Sequence, residues 1–367
     1  MNKSLADILH DYRRRTGLTQ KALAEELAVD VHTVAGWETG KSLPCAAHLM
    51  KILELCGVCR VCPIKPERRT PTGMPSVAQI FKIGRGPSSS HTIGPERACL
   101  AFKKRFPDAD FFRVTLFGSL AKTGKGHGTD TVIRKTLAPK TAEVLFDPVK
   151  ADLPHPNTMT FTAFKDGKEL GSATVLSVGG GDIVFENEPW DKPEELYPET
   201  TFESIAAVCK EKNIRLWQYV EACEDADFPG YMASVWEAMK AAIARGLADS
   251  GTLPGGLEVN KKAKTLYNGR YIGEPDDVRE NRVVCAYAYA VSEQNASGET
   301  VVTAPTCGAS GVLPAVMYYY QLKNGYSDAQ ILHALETAGL VGNLIKTNAS
   351  ISGAECGCQA EIGSACT

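Results

Sequence analysis

Apolar residues recur at helical spacing near the start of the chain. Leu5, Ile8, Leu9 and Tyr12 fall on one face of a helix. Gly17 interrupts the pattern, and Thr19 is placed to cap a second helix whose apolar face is Leu23, Ala24 and Leu27. Asp30 caps a third helix over 31–37, and Leu43, Leu49, Ile52 and Leu55 carry a fourth. Residues 64–75 are rich in proline and charge and read as a linker. Residues 77–83, 114–120, 160–164 and 173–178 then read as strands, separated by loops of glycine and serine. The stretch 186–230 is acidic and proline-rich, then helical, and reads as a solvated connection. From Ser234 the helical period returns. Trp236, Met239, Ile243 and Leu247 share a face, and 281–296 and 328–345 continue the pattern. The chain is therefore expected to be multidomain: an all-α bundle over 1–60, a linker over 61–75, an α+β domain over 76–200, a connection over 201–232, and an all-α domain over 233–367 that carries its chemistry in loops.

Composition narrows the function classes. With 367 residues, 44% of them hydrophobic, the chain can bury two or three cores. A net charge of −3 argues against nucleic-acid binding by the whole chain but not by one basic module. No apolar run reaches the length of a membrane span, and the polar start, Met-Asn-Lys-Ser, has no signal-peptide core, so a cytoplasmic protein is expected. Twelve cysteines in a reducing compartment are then thiols rather than structural disulfides. Isolated ones behave as small hydrophobes, and clustered ones read as metal ligands.

Two cysteine clusters stand out. The run Cys56-Gly-Val-Cys59-Arg-Val-Cys62-Pro63 is similar to part of a ferredoxin-type ligand loop, with Cys45 as the available fourth thiol; the competing reading is thiols packed under the last helix of the bundle. The final segment holds Cys356, Cys358 and Cys366 among Gly353, Gly357, Gly363, Ser364 and Ala365. A similar setting surrounds Cys307 in Thr303-Ala-Pro-Thr-Cys-Gly-Ala-Ser-Gly. Small residues let the backbone approach an inorganic centre, and thiolate is the soft ligand that iron–sulfur clusters require.

Candidate proton-transfer chemistry lies in the middle of the chain. In Gly84-Arg-Gly-Pro-Ser-Ser-Ser-His91-Thr-Ile, three serines, Thr92 and His91 gather hydrogen-bonding groups where a helix begins, a setting suited to an anionic substrate. His127 lies among Gly124, Gly126 and Gly128, in an order unlike that of a phosphate-binding loop. Histidine is the usual side chain for proton transfer near neutral pH. His155 is a third candidate.

The segment 18–41 resembles the helix-turn-helix of phage-repressor-like regulators. That resemblance implies that the helix starting near Val31 enters the major groove, with His32 and Thr33 at base edges and Gln20 and Lys21 at backbone or bases. Arg13, Arg14, Arg15 and Lys41 would contact phosphates, and a homodimer is the usual binding form. The competing reading is a helical docking module that does not bind DNA.

Four motifs occur in one order: Gly84-Arg-Gly-Pro-Ser-Ser-Ser-His-Thr-Ile-Gly-Pro, Gly118-Ser-Leu-Ala-Lys-Thr-Gly-Lys-Gly-His-Gly-Thr-Asp, Val302-Thr-Ala-Pro-Thr, and Asn348-Ala-Ser-Ile-Ser-Gly-Ala-Glu with Gly357-Cys-Gln-Ala-Glu-Ile-Gly-Ser-Ala-Cys. Together they resemble the iron–sulfur-dependent bacterial L-serine dehydratases over residues 76–367. The resemblance implies a beta-type α+β domain and an alpha-type helical domain that convert L-serine to pyruvate and ammonia with a [4Fe–4S] cluster. Cys358 and Cys366 would be ligands, with Cys307 the third and Cys356 the fallback; many relatives place that third ligand where this chain has Ser310. His91 and His127 would handle protons or clamp substrate. Ser88, Ser89, Ser90, Thr92 and Asn348 would bind carboxylate or ammonium, with Lys346 a further anion contact. A pyridoxal phosphate route is disfavoured, because neither Lys122 nor Lys346 lies in a Ser-x-Lys-x-Arg-Gly setting. The family continues beyond the point matching Thr367, so the alpha-type domain is expected to be incomplete, its remainder lost or supplied by a separate chain. Two other readings stay open: a transcriptional regulator sensing serine or cluster status, and an inactive fragment.

Overall fold

A computed structural model describes residues 5–39, 41–42, 44, 52, 71–188, 193–349, 351 and 358–367. The chain divides into two units, Met1–Thr70 and Pro71–Thr367. In the first, α1 (Leu5–Thr16), α2 (Gln20–Leu27) and α3 (Val31–Glu38) enclose Leu9, Leu23, Ala24, Leu27, Val34, Trp37 and Ile52. The caps fall where the pattern places them. Thr19 accepts from the Ala22 amide at 3.1 Å, and Asp30 from the His32 amide at 2.8 Å. Ile52 is helical and fully buried, whereas Leu43, Leu49 and Leu55 of the fourth helix, and Cys45, Cys56, Cys59 and Cys62, lie outside the described residues.

The second unit opens with β1 (Met74–Pro75) and a 3-10 turn over Val77–Gln79. The strand expected over 77–83 is thus confined to β2, Ile83–Arg85. The Ser76 hydroxyl accepts from the Ala78 amide and winds the chain. Val77, Ile80 and Phe81 then all enter one core, a spacing of three and four rather than two. A π-helical turn, Ser89–Ile93, leads into α4 (Gly94–Arg105). The sheet begins with β3 (Phe111–Phe117), followed by α5 (Gly118–Thr123), α6 (Thr129–Leu137) and β4 (Thr141–Asp147). The strand read over 114–120 ends at Phe117, because Gly118 adopts a φ of +51° and turns the chain into α5. Then follow β5 (Thr158–Lys165), β6 (Lys168–Gly179) and β7 (Asp182–Phe185).

The five strands lie in the order β4-β3-β5-β6-β7, with β3 and β4 parallel and the other neighbours antiparallel. Alternate residues Phe112, Val114 and Leu116 of β3 and Met159, Phe161 and Ala163 of β5 pack under Ala98, Cys99 and Phe102 of α4 and Ile133 and Leu137 of α6.

β8 (Glu195–Tyr197) pairs antiparallel with β1, and the helices α7 (Phe202–Lys212), α8 (Leu216–Cys223), α9 (Phe228–Ala248), α10 (Ala263–Asn268) and α11 (Asp276–Ala296) follow. A short β9 (Thr300–Val302) precedes α12 (Val312–Asn324), α13 (Asp328–Asn348) and α14 (Cys358–Cys366). Trp236 and Met239 of α9 and Leu335 and Leu340 of α13 pack with Val77 and Phe81 in this second core. β9 pairs antiparallel with β2, matching Ile83 to Val302 and Arg85 to Thr300. That ladder brings together two segments more than 200 residues apart. Among the described residues, no helix is long and apolar enough to cross a membrane.

Candidate active site

The β2–β9 ladder sets the loops that carry the chemistry side by side. The chain after β2 runs through Gly86 and the serines to His91, and the chain after β9 runs through Thr303 to Cys307. Thr303 fastens them, its Oγ1 donating to the Ile80 carbonyl at 2.6 Å and accepting from the Lys82 amide at 2.8 Å. At Gly86 a β-carbon would lie 2.2 Å from Asn295 Oδ1, so only glycine permits this approach. Asn295 Nδ2 also donates to the Pro87 carbonyl at 3.1 Å.

The serine loop is organised around one imidazole. Ser88 caps the π-helical turn by accepting from the His91 amide at 3.1 Å, and the Ser88 amide donates to Thr92 Oγ1 at 2.9 Å. His91 Nδ1 lies 3.0 Å from Ser90 Oγ, and Nε2 lies 3.1 Å from Ser119 Oγ at the start of α5. The Thr129 hydroxyl donates to the His91 carbonyl at 2.7 Å. Ser89 and Thr92 are buried within the turn. Burial, reinforced by the nearby His127, pushes the His91 pKa down to about 4, so its ring is neutral at physiological pH.

His127 stands beside it, with ring centroids 4.6 Å apart and planes inclined by 36°. Its Nδ1 lies 2.9 Å from the Thr123 carbonyl. A carbonyl only accepts, so Nδ1 carries the proton and Nε2 of the neutral ring keeps its lone pair. His127 lines a cavity of about 420 Å³ with Thr92, Arg85, Lys125, Lys135 and Ser297, a wall rich in cations. The structure therefore places His91, His127, Ser88, Ser90 and Thr92 within one cluster. His155 instead shapes a turn, its Nδ1 accepting from the Asn157 amide at 3.0 Å.

The remaining predicted contacts have other partners. Lys346 Nζ is 2.9 Å from Asp182 Oδ2, and Asp182 also pairs with Lys82 and, at 3.2 Å, Arg97. Burial pushes the Lys82 pKa down to about 8 against the pull of Asp182. Burial would raise the Asp182 carboxyl, but Lys82 and Lys346 outweigh it and hold it below its usual range. Three cations around one carboxylate leave this cluster net positive. Asn348 is exposed and donates to the Thr200 and Leu344 carbonyls at 2.8 and 3.0 Å.

Cys307 is fully buried among Ile93, Val301, Tyr287 and Ala315, and burial, with Glu361 close by, pushes its thiol pKa well up. Cys366 is exposed and lines an apolar cavity with Ile80, Pro305, Val316 and Val341. Cys358 and Cys366 occupy the two ends of α14. At 1.5 Å of rise per residue, roughly 12 Å of helix separates their backbones. Cys356 lies outside the described residues.

Sequence reading did not single out Ser119, Lys82, Asp182 or Glu361. Glu361 brings the tail helix to the site. A β-carbon on Gly308 would fall 2.5 Å from Glu361 Oε2. Burial raises the Glu361 pKa, while the Thr306 side chain and His127 oppose that shift. Its position in Gln-Ala-Glu361-Ile, within the tail motif, was the available signal.

In the first unit, Lys21 and His32 are exposed and Thr33 is half-buried. Gln20 is turned inward. Its Nε2 donates to Glu38 Oε2 at 2.6 Å, beside Arg13, which clamps both Glu38 oxygens at 2.5 and 3.1 Å.

Comparison with known families accords with this arrangement. The model of the serine dehydratase alpha chain matches residues 159–367, that of the serine dehydratase beta chain matches 76–145, and a helix-turn-helix domain matches 4–61. The L-serine dehydratase of Streptomyces coelicolor is 35% identical over 80% of this chain and 76% of its own length. That of Haemophilus influenzae is 35% identical over 80% and 77%, and an Escherichia coli L-serine dehydratase is 36% identical over 80% and 77%. The chain belongs to the L-serine dehydratase family of enzymes, with beta-chain and alpha-chain regions in one polypeptide behind a helix-turn-helix domain.

Proposed function

We propose that this protein converts L-serine to pyruvate and ammonia by β-elimination at the His91–His127 site, and that its helix-turn-helix unit binds DNA. The observation that carries the reading is the histidine pair, one ring neutral and buried, the other held in a fixed tautomer on a cationic cavity.

Dehydration of serine requires removal of a weakly acidic Cα proton and loss of a poor leaving group. His127 is the group assigned to take the proton. Its Nδ1–H is committed to Thr123, so Nε2 is the basic atom, and the ring lines the cavity. His91 stays neutral between Ser90 and Ser119, where it relays hydrogen bonds and adds no positive charge beside the base. Arg85, Lys125 and Lys135 suit the cavity to a substrate carboxylate. The elimination product tautomerises and hydrolyses without help from side chains.

The thiols of Cys307, Cys358 and Cys366 would hold a [4Fe–4S] cluster. The donor chemistry fits, since all three are soft ligands. Beside Cys307, Ser310 Oγ is buried with no hydrogen-bond partner, and Thr306 Oγ1 has none of good geometry although it faces Glu361. When bound, such a cluster supplies a Lewis-acidic iron that polarises the β-hydroxyl as leaving group.

The test is anaerobic reconstitution of the full chain with iron and sulfide, followed by assay of pyruvate from L-serine. Turnover that requires the cluster and is lost in H127N supports the reading. A reconstituted protein with cluster absorbance and no turnover would overturn it.

A further inference from the structure

Helices α8 and α13 pack against each other and carry a cluster of polar side chains distinct from the histidine pair. His333 and Glu336 lie three residues apart on α13 and so share a face, and Glu221 projects from α8. One ligand atom from each lies within 4.8 Å of the other two. His333 Nε2 is 4.0 Å from Glu221 Oε1. Trp217, one turn before Glu221, stacks on the His333 ring with centroids 3.7 Å apart and planes within 9° of parallel, which fixes the plane of the imidazole.

Glu336 makes this more than a surface group of acids. It is 2% exposed, and its Oε2 is buried with no hydrogen-bond partner. Buried carboxylates are ordinarily paired or hydrogen-bonded. The charges that act on it are those of two further carboxylates, Glu221 and Glu224. Glu224 is already committed, accepting from the Val77 amide and the Ser76 hydroxyl at 2.7 Å and from the Tyr197 hydroxyl at 2.6 Å. Among the described residues, no lysine or arginine offsets this carboxylate.

We propose that Glu221, His333 and Glu336 form a binding site for one divalent transition-metal ion, of which zinc is the type. One imidazole and two carboxylates are three ligands, the number at which zinc keeps an open position for water. Calcium takes six or more oxygens, and magnesium rarely accepts an imidazole, so neither suits this donor set. The half-exposed side chains of Glu221 and His333 leave a path for entry from solvent. A bound ion would join α8 to α13, the helix that ends in Lys346 and Asn348.

Cobalt(II) separates this site from the cysteines, because thiolate ligation gives intense near-ultraviolet charge-transfer bands and nitrogen–oxygen ligation does not. Full-length protein, stripped with a chelator, is titrated anaerobically with Co²⁺ while visible spectra and thermal midpoint are followed. One equivalent is expected to bind with weak visible bands free of thiolate character and to raise the midpoint. H333A and E336Q are each expected to weaken that binding at least about tenfold, while C307S retains it. E336Q removes a buried charge, so it keeps the fold and its metal-free midpoint does not fall. A spectrum of purely thiolate character, or binding by E336Q equal to that of the unaltered protein, overturns the proposal. So does an unaltered midpoint on adding cobalt, the result expected if Glu336 is simply a protonated carboxyl.

Discussion

His91 and His127 stand with ring centroids 4.6 Å apart, yet their surroundings prepare them for different tasks. His91 is 6% exposed and bonded at both ring nitrogens by serines. In the folded chain it takes a proton near pH 4, against 6.5 for a solvated histidine. The unfolded chain therefore binds the proton first as pH falls. The contribution of this group to stability is full above about pH 6.5 and is lost progressively down to about pH 4. The loss is on the order of 3 kcal/mol. Urea midpoints measured between pH 7.5 and 4.5 are expected to drop more steeply for the unaltered chain than for H91Q, which cannot titrate there. Parallel curves would show that His91 is not buried as described.

His127 is half-buried on the cavity wall, and its replacement is expected to act on turnover rather than on folding. H127N keeps a hydrogen-bonding group near the Thr123 carbonyl but removes the basic Nε2. Loss of a positioned general base reduces the rate by roughly 10²–10⁴-fold. Pyruvate formation from L-serine in reconstituted enzyme measures kcat directly. S119A should have a smaller effect, because the Ser119 hydroxyl bonds to the neutral His91 and not to the base. Equal loss in both variants would point to a structural role for His127.

The loops bearing His91, His127 and Cys307 were legible because glycine, serine and a reactive side chain concentrate there beyond what a turn requires. Their convergence was not, since it depends on Arg85 pairing with Thr300 across more than 200 residues. No local pattern encodes such a pairing. The strand expected over 77–83 failed because Val77, Ile80 and Phe81 share a helical face, a spacing that so short an apolar run does not make plain. Glu361 was passed over for a different reason: a single acid in a helical tail is ordinary until Gly308 is seen against its carboxylate. Lys346 was read from its charge alone, and charge does not show that Asp182 already holds it.

Gly308 and Glu361 should be energetically coupled. A β-carbon at residue 308 would approach Glu361 Oε2 to 2.5 Å, so G308A is expected to displace the carboxylate from the Cys307 loop. The single substitution should cost up to about 1 kcal/mol of stability, because the β-carbon meets the mobile end of the glutamate rather than backbone. E361A removes the clash, so the double variant should recover at least about 0.5 kcal/mol relative to additivity. Urea unfolding of the four proteins closes this cycle, and strict additivity would separate the tail helix from the loop.

Asp182 is expected to be indispensable to the fold around it. It accepts from Lys82 and Lys346, and Lys82 is 8% exposed. D182N leaves two ammonium groups facing each other with their common counter-charge gone. Removing one partner of a buried pair costs about 3–5 kcal/mol, and the partial exposure of Asp182, 19% at the side chain, places the expectation at the lower end. K82M in the D182N background should restore part of the loss by removing one of the three stranded charges, Lys82, Lys346 and Arg97. Thermal midpoints of the two variants test this, and a D182N midpoint equal to that of the unaltered chain would count against the network.

The helix-turn-helix unit gives predictions that differ in kind between its residues. Lys21 is exposed at the start of α2 and has the chemistry of a phosphate contact, which positions without reading sequence. K21A should weaken binding to all DNA sequences alike and reduce the salt dependence by about one counterion. His32, exposed on the first turn of α3 beside the Asp30 cap, has the position of a base reader. H32A should lower preference for a selected operator over random DNA by roughly 1–3 kcal/mol while leaving the salt slope unchanged. Gln20 and Arg13 are both held by Glu38 inside the unit, so E38A should weaken DNA binding by loosening α1 and α2 against α3, with a matching loss of thermal stability. Fluorescence anisotropy across a salt series, with operator and random duplexes, separates these three outcomes. Absence of salt-dependent binding by the unaltered chain would leave the unit as a docking module.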